Sequence, residues 1–240
     1  MGKNGMQPMD ANTYPDHWAR ESRTNEGQGL YAALAGIAPA GRTLEIGCGI
    51  GLGTLALARS RPVLSIDNNP KLIALTRQAI RDASVDAEVM EDDVFSLSLT
   101  TASQIATFAP DGIVCWFAGS HPDDVARRTS PALPPSERPK QYRENIEDRL
   151  VQAPLCGPTV KWVHLATRVG MATAASLDEA IEAIFNDYNS YMLKDSPFRV
   201  ADVQVFDWEP GEMAYVFHSN PAFMGGQVAF KVISVLARRP

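Results

Sequence analysis

Apolar residues along this chain fall into short runs broken by glycine, proline and acids, with amphipathic stretches between them. Leu30, Leu34 and Ile37 recur at helical spacing, so residues 29–37 read as an amphipathic helix that Pro39 and Gly41 end. Thr43 to Ile46 reads as a strand, and Thr54 to Ala58 opens a helix. Val63 to Asp67 is a second strand. Asn69 can cap the next helix, with Pro70 at its first position. That helix runs to about Asp82 and turns Leu72, Ile73, Leu75, Ala79 and Ile80 inward. Ala87 to Met90 is a short third strand, and Ala102 to Phe108 a weak helix. Residues 111–117 form a near-continuous apolar run, as buried parallel strands do. Val160 to Leu165 is a fifth strand. Ser176 with Glu179 makes a capping box before a helix carrying Leu177, Ile181, Ile184, Phe185 and Tyr188 on one face. Val200 to Trp208 and Gln227 to Ala237 are strands, and Glu212 to His218 is another strand or part of a hairpin. Strands alternating with helices and then a β-rich tail predict an α/β fold with a doubly wound, mostly parallel sheet.

The turn after the first strand carries the chemistry. Glu45-Ile46-Gly47-Cys48-Gly49-Ile50-Gly51 joins a strand end to a helix start. Glycines let such a loop turn sharply and let a ligand lie against bare backbone. The following helix N-terminus adds unpaired N–H groups. A dinucleotide fingerprint requires G-x-G-x-x-G, but the sixth position is Leu52 counted from Gly47 and Thr54 counted from Gly49. Asp67 ends the second strand, 22 residues after Glu45, where a carboxylate can accept hydrogen bonds from both ribose hydroxyls. Asp93, followed by Val94, stands after the third strand, with Asp92 the alternative one residue away.

These three acids and the acid-x-Gly-x-Gly-x-Gly loop, within residues 43–95, resemble the class I S-adenosylmethionine-dependent methyltransferases. The resemblance implies a Rossmann-like, seven-stranded sheet with a closing antiparallel hairpin, and S-adenosylmethionine as cofactor. It also implies a binding set of Glu45, Gly47, Cys48, Gly49, Gly51, Asp67, Asn68, Asp93 and Val94. The glycine loop would hold the methionine portion, Asp67 the ribose and Asp93 the adenine amino group. Glu45 would order the loop and reach the cofactor's amino group, directly or through water. The reaction implied is in-line displacement at a sulfonium methyl, for which positioning supplies most of the catalysis. Aminopropyl transferases share the glycine motif.

Length and composition narrow the class. With 240 residues, a single domain over 1–240 is expected, with an N-terminal flap at 1–24 and an insertion at 119–158 between strands four and five. The formal net charge of −6 disfavours a large nucleic-acid footprint. No Asn-Pro-Pro-Tyr or Pro-Cys pair follows the fourth strand, as amino- or cytosine-methylating DNA enzymes would carry. Cys48, Cys115 and Cys156 lie far apart without zinc spacing, so free thiols in a reducing compartment are expected, and no metal. The polar first ten residues give no readable secretory leader, and no run approaches the roughly 20 apolar residues of a membrane span. The expectation is a cytoplasmic protein. The sequence leaves its oligomeric state open.

The acceptor side is less defined. His121, just beyond the fourth strand, is the candidate general base; the alternative is a loop histidine bonded to a carboxylate such as Asp123. His164 alternates with apolar residues and reads as a satisfied core histidine. Trp116 and Phe117 are candidates for the pocket wall, with core packing the alternative for at least one. Residues 121–158 hold seven of the 17 prolines, and Tyr142, Ile146 and Leu150 mark a helix within them. We read this connection as an acceptor-side lid. Tyr142 would offer it an apolar contact, and Arg143 a charge for an anionic group. Residues 14–23, rich in aromatic side chains, either cover the cofactor pocket or pack on the sheet edge. The reading is methyl transfer to a small-molecule acceptor. The alternatives are a peptide or protein side chain as acceptor, or a non-catalytic cofactor-binding protein.

Overall fold

The computed structural model describes residues 10–210 and 228–240. Seven strands form one sheet: β1 (Thr43–Ile46), β2 (Val63–Asp67), β3 (Ala87–Glu91), β4 (Gly112–Trp116), β5 (Trp162–Ala172), β6 (Arg199–Asp207) and β7 (Val228–Arg238). Their spatial order is β3-β2-β1-β4-β5-β7-β6. The first five are parallel; β7 runs antiparallel between β5 and β6. The helices are α1 (Tyr14–Gly27), α2 (Leu30–Ile37), α3 (Leu52–Ala58), α4 (Pro70–Ala83), α5 (Leu99–Phe108), α6 (Pro122–Arg127), α7 (Arg138–Leu150) and α8 (Leu177–Ser190). The segment expected as a strand over 212–218, with His218, lies outside the described residues, as does most of the polar N-terminal stretch.

Alternation along the strands sorts the core into two layers. Leu44, Ile46, Leu64, Ile66, Ile113, Cys115, Val163 and Leu165 face one side and pack with Tyr142, Ile146 and Leu150 of α7. Val63, Val114, Trp116, Trp162 and Ala166 face the other and pack with Tyr14 and Trp18 of α1, Leu34 of α2 and Leu57 of α3. The second layer also buries polar side chains. Trp116 donates its indole N–H to Nδ1 of His164 (3.2 Å), so the other ring nitrogen carries the proton and donates to Oγ of Ser234 (2.7 Å). Burial pushes the His164 pKa down to about 3, which keeps the ring neutral. It is the satisfied core histidine that its alternation suggests.

Several boundaries move for local reasons. α5 starts at Leu99 because Ser98 caps it, accepting from the Thr101 N–H at 3.2 Å. β5 continues to Ala172, past the end of β4, because β7 supplies partners as far as Val228. Leu75, expected inward, is 44% exposed; Thr76 is buried in its place and donates to the Gly49 carbonyl (2.8 Å). On α8 no residue is fully buried, and Leu177 and Phe185 of its expected apolar face are exposed.

The connection expected as a lid contains two helices, α6 and α7. Tyr142, Ile146 and Leu150 lie in the core, and none of them is more than 6% exposed. The proposed acceptor contact of Tyr142 is therefore replaced by sheet packing: the side chain that fits an apolar pocket also fits the core, and the topology gives it the core. Truncating Leu150 to alanine is expected to lower unfolding free energy by about 2–5 kcal/mol, as in other fully buried leucines. Urea melts measure this. A loss under ~0.5 kcal/mol would show that α7 is not a structural cover.

Candidate functional site

Chain direction reverses its order in the sheet at β1, which has β2 on one side and β4 on the other. Ligands of open α/β sheets bind outside the strand ends at such a point. Here the glycine loop after β1 meets residues 117–121 after β4. Gly47 and Gly49 both sit in the left-handed region, at φ 80° and 57°. A Cβ added at Gly47 would meet nothing within 4 Å, so its bare face is open to a ligand. At Gly49 a Cβ would come 2.2 Å from Nε1 of Trp18. What lies against that glycine is the chain's own tryptophan, so the close backbone approach expected of a ligand belongs to Gly47.

Glu45 does not point at the loop's open side. Its carboxylate, 3% exposed, accepts from Oγ1 of Thr54 at 2.5 Å and Oγ of Ser65 at 2.6 Å. Burial raises its pKa to about 6, although these two hydroxyls oppose the rise. Asp67 holds the next turn: Oδ2 accepts from the Gly49 N–H (3.0 Å) and Oδ1 from the Asn69 N–H (2.9 Å). Each carboxylate oxygen keeps lone-pair capacity for a further donor. Burial pushes this carboxyl above the usual carboxylate range against those two bonds. Cys48 is buried beside it, with Sγ 3.9 Å from Oδ2, and burial raises its thiol well above the usual range. Asn68 is exposed at the rim.

The two acids after β3 divide their work. Asp92 is used locally: it accepts from the Asp93 N–H (2.7 Å) and from the backbone and hydroxyl of Ser98 (3.1 and 2.6 Å). Asp93 accepts from the Phe95 N–H at 3.0 Å and pairs with Arg128. Val94 and Phe95 are partly buried against the core.

At the end of β4 both aromatic candidates are core residues, and Phe117 alone also lines a cavity. Trp116 is a core residue bonded to His164. Phe117, buried in the same layer, follows the strand with φ 61°, a conformation that costs a bulky residue on the order of 1–3 kcal/mol. Its N–H bond to the Ala166 carbonyl (2.8 Å) and an edge-on contact with Tyr31 (5.9 Å between centroids) hold it there. Phe117, Ser120, Tyr14, Trp18, Gly47 and Asp67 line a cavity of about 40 Å³. A second of about 270 Å³ adjoins it across Asn68 and Asn69, walled by His121, Lys71, Arg127 and Asn12. His121 precedes α6 without a side-chain capping bond; its Nδ1 is buried without a hydrogen-bond partner, and its ring meets Tyr14 edge-on at 6.4 Å. Asp123 is exposed; Asp124 is the buried acid and accepts from Tyr142 Oη (2.8 Å) and Arg127 (2.6 Å). Arg143 lies beside Glu147 (3.2 Å) and Thr167 (3.4 Å) and lines neither cavity.

Tyr14 and Trp18 of the N-terminal stretch line the smaller cavity and also pack in the core. α1 is pinned at its far end by Trp208 to Asn25 (2.9 Å) and by two bonds between Gln28 and Glu209 (2.7 and 2.9 Å). Arg168 on β5 pairs with Glu21, and its guanidinium lies 5.4 to 5.7 Å from the rings of Trp18, Trp208 and Phe117. Arg168 and Thr76 escaped the sequence reading, because a single charge in a strand and a single threonine on a helix carry no pattern.

A family model described as a methyltransferase domain matches residues 43–136, which include the glycine loop and all three strand-end acids. Residues 43–136 of the chain thus match a methyltransferase domain. The cofactor of these enzymes is S-adenosylmethionine. The residues of this site fit it: Gly47 leaves a bare face, and Asp67 keeps acceptor capacity at the groove. The fold is shared with M. jannaschii TYW2, whose structure is in complex with AdoMet, at TM-score 0.52 and 12% identity over 89% of this chain and 76% of that one. Magnesium protoporphyrin IX methyltransferase from Synechocystis PCC 6803, with bound SAH, aligns at 0.49 and 14% identity, covering 92% of this chain and 86% of its own. Coclaurine N-methyltransferase bound to N-methylheliamine and SAH aligns at 0.49 and 13%, covering 89% and 70%. No curated protein matches the sequence. Among the described residues no group of His, Cys, Asp and Glu could hold a metal ion, and no helix is long and apolar enough to cross a membrane.

The buried Glu45 gives the protein a pH signature. Its folded pKa of about 6 lies above the ordinary 4.5, so its contribution to stability is full below pH 4.5 and is lost as pH rises through 6. Both hydroxyls bond the same oxygen, which a glutamine amide oxygen can replace. Glu45→Gln is therefore expected to gain about 2 kcal/mol over the wild type between pH 4.5 and pH 8. Urea melts at the two pH values measure it, and parallel curves for the two proteins would contradict the burial argument.

Proposed function

We propose that this methyltransferase acts on a small-molecule acceptor. The observation that carries the proposal is the cover formed by Tyr14 and Trp18 over Gly47, Gly49 and Phe117, which leaves a narrow aromatic opening at the strand ends. A folded protein surface or a nucleic-acid strand has no room to reach a group inside such an opening, and the net charge of −6 adds no attraction for a polyanion. The glycine loop with Cys48 and Gly51 would cradle the methionine portion, Asp67 and Asn68 the ribose, and Asp93 with Val94 the adenine. When bound, the cofactor supplies an activated methyl group on a sulfonium. Phe117 and the residues after it then shape the acceptor's approach, and closure of α1 keeps water out. In this arrangement α1, not α7, closes the acceptor side.

His121 supports a base role. Its Nδ1 is buried and unpartnered, one residue beyond the Ser120 wall of the smaller cavity. An acceptor that must lose a proton could give it there.

Incubation with methyl-labelled S-adenosylmethionine and a cell extract divided by size tests the acceptor class. Label is expected below about 1 kDa, far smaller than any folded domain; label confined to protein or nucleic acid would overturn the proposal. Asp67→Asn is expected to weaken S-adenosylhomocysteine binding by about 10- to 100-fold, from the loss of a charge-assisted bond to the ribose. Calorimetry on the folded variant measures it, and unchanged affinity would remove Asp67 from the site. His121→Asn should lower kcat by about 10²- to 10⁴-fold with cofactor affinity kept. An unaltered kcat would leave the acceptor to react without this base.

A further inference from the structure

Asp93 already has a partner of the kind its assigned ligand would be. One carboxylate oxygen accepts from the Phe95 N–H. The other is taken by Nη2 of Arg128, whose guanidinium lies 4.8 Å from the centre of the Phe95 ring. The backbone of Arg128 is fixed separately: its N–H bonds the Asp124 and Val125 carbonyls and its C=O accepts from Asn145 (2.8 Å). Its side chain forms ion pairs with Asp93 and, through Nε, with Asp124. Nε is buried without a hydrogen-bond partner, and the nearer oxygen of Asp124 stands 3.7 Å away. A guanidinium is flat, stacks on an aromatic face and donates N–H to a carboxylate. An adenine ring with its exocyclic amino group does the same.

We propose that Arg128 is an internal stand-in for adenine. It holds the Asp93 carboxylate and the Phe95 face before the cofactor arrives, swings aside to admit it, and re-forms its ion pair as the spent cofactor leaves. No bond is made or broken covalently; one hydrogen-bond donor replaces another on the same oxygen. Arg128 thus sets cofactor affinity without touching the bound cofactor. The inference rests on the reading of Asp93 as the acceptor for the adenine amino group.

Adenosine is the direct probe, because it is uncharged and lacks the methionine end. Calorimetry should show Arg128→Met binding adenosine about three- to tenfold more tightly than the wild type, the range expected for release of a partly exposed ion pair. Equal or weaker binding overturns the proposal, the weaker case making Arg128 a contact of the bound ring. Should Arg128→Met fail to fold, the wild type alone decides: adenosine affinity should rise between 20 and 500 mM KCl, roughly twofold or more, as salt screens the pair. A flat or falling response overturns it. In the Arg128→Met background, Asp93→Ala should cost about tenfold in adenosine affinity. No loss there refutes Asp93 as the adenine acceptor. A loss there without a gain from Arg128→Met refutes the stand-in alone.

Discussion

Glu45 is a buried carboxylate on β1 that accepts hydrogen bonds from Thr54 on α3 and Ser65 on β2. Three elements that diverge from one another are thereby tied at a buried point. The tie accounts for several residues around it. Gly53 must lack a side chain, since a Cβ there would come 2.6 Å from Oε1 of Glu45. The loop between β1 and α3 has its two ends fixed, so residues 47–51 have little choice of path. Asp67, two residues beyond Ser65, then reaches the Gly49 N–H across the loop. A charged group in such surroundings costs stability near neutral pH, and the fold accepts that cost to hold the loop's shape.

The architecture was legible because its signals are local and repeated. Strand ends at Ile46 and Asp67, the cap at Asn69 and the apolar run of β4 all follow from short-range patterning, and the strand-end acids sit at fixed positions in that pattern. What could not be read depends on distant pairing. The length of β5 is set by β7, more than 50 residues later. Tyr142, Ile146 and Leu150 have the spacing of one apolar helix face, and only the sheet beneath them decides that this face is core and not pocket wall. Of the two roles that the resemblance implies for Glu45, ordering the loop is the one that its hydroxyl partners, nine and twenty residues away, support.

The N-terminal helix shows the same dependence on distant partners. Tyr14 and Trp18 are unremarkable in a flap; over the glycine loop they become its roof. Their placement depends on Arg168, on β5, which stacks against Trp18 and pairs with Glu21. Three aromatic faces around one guanidinium fix an angle as well as a distance, because each ring attracts the cation only through its face. Phe117 completes this group in a backbone conformation that few aromatic residues adopt. Local strain and long-range packing therefore meet beside the groove where an acceptor would approach.

The Trp116–His164–Ser234 chain has a further consequence for how the sheet assembles. Its members stand on β4, β5 and β7, so it crosses from the parallel part of the sheet to the antiparallel part. Apolar residues on those strands would tolerate several alignments, since one valine packs much like another. A directional chain of donor, ring and hydroxyl tolerates one. If β7 slipped by a single residue, Ser234 would turn to the opposite face and leave a neutral imidazole N–H buried without an acceptor. The histidine thus works as a key that selects one strand alignment among those that hydrophobic burial alone would leave close in energy.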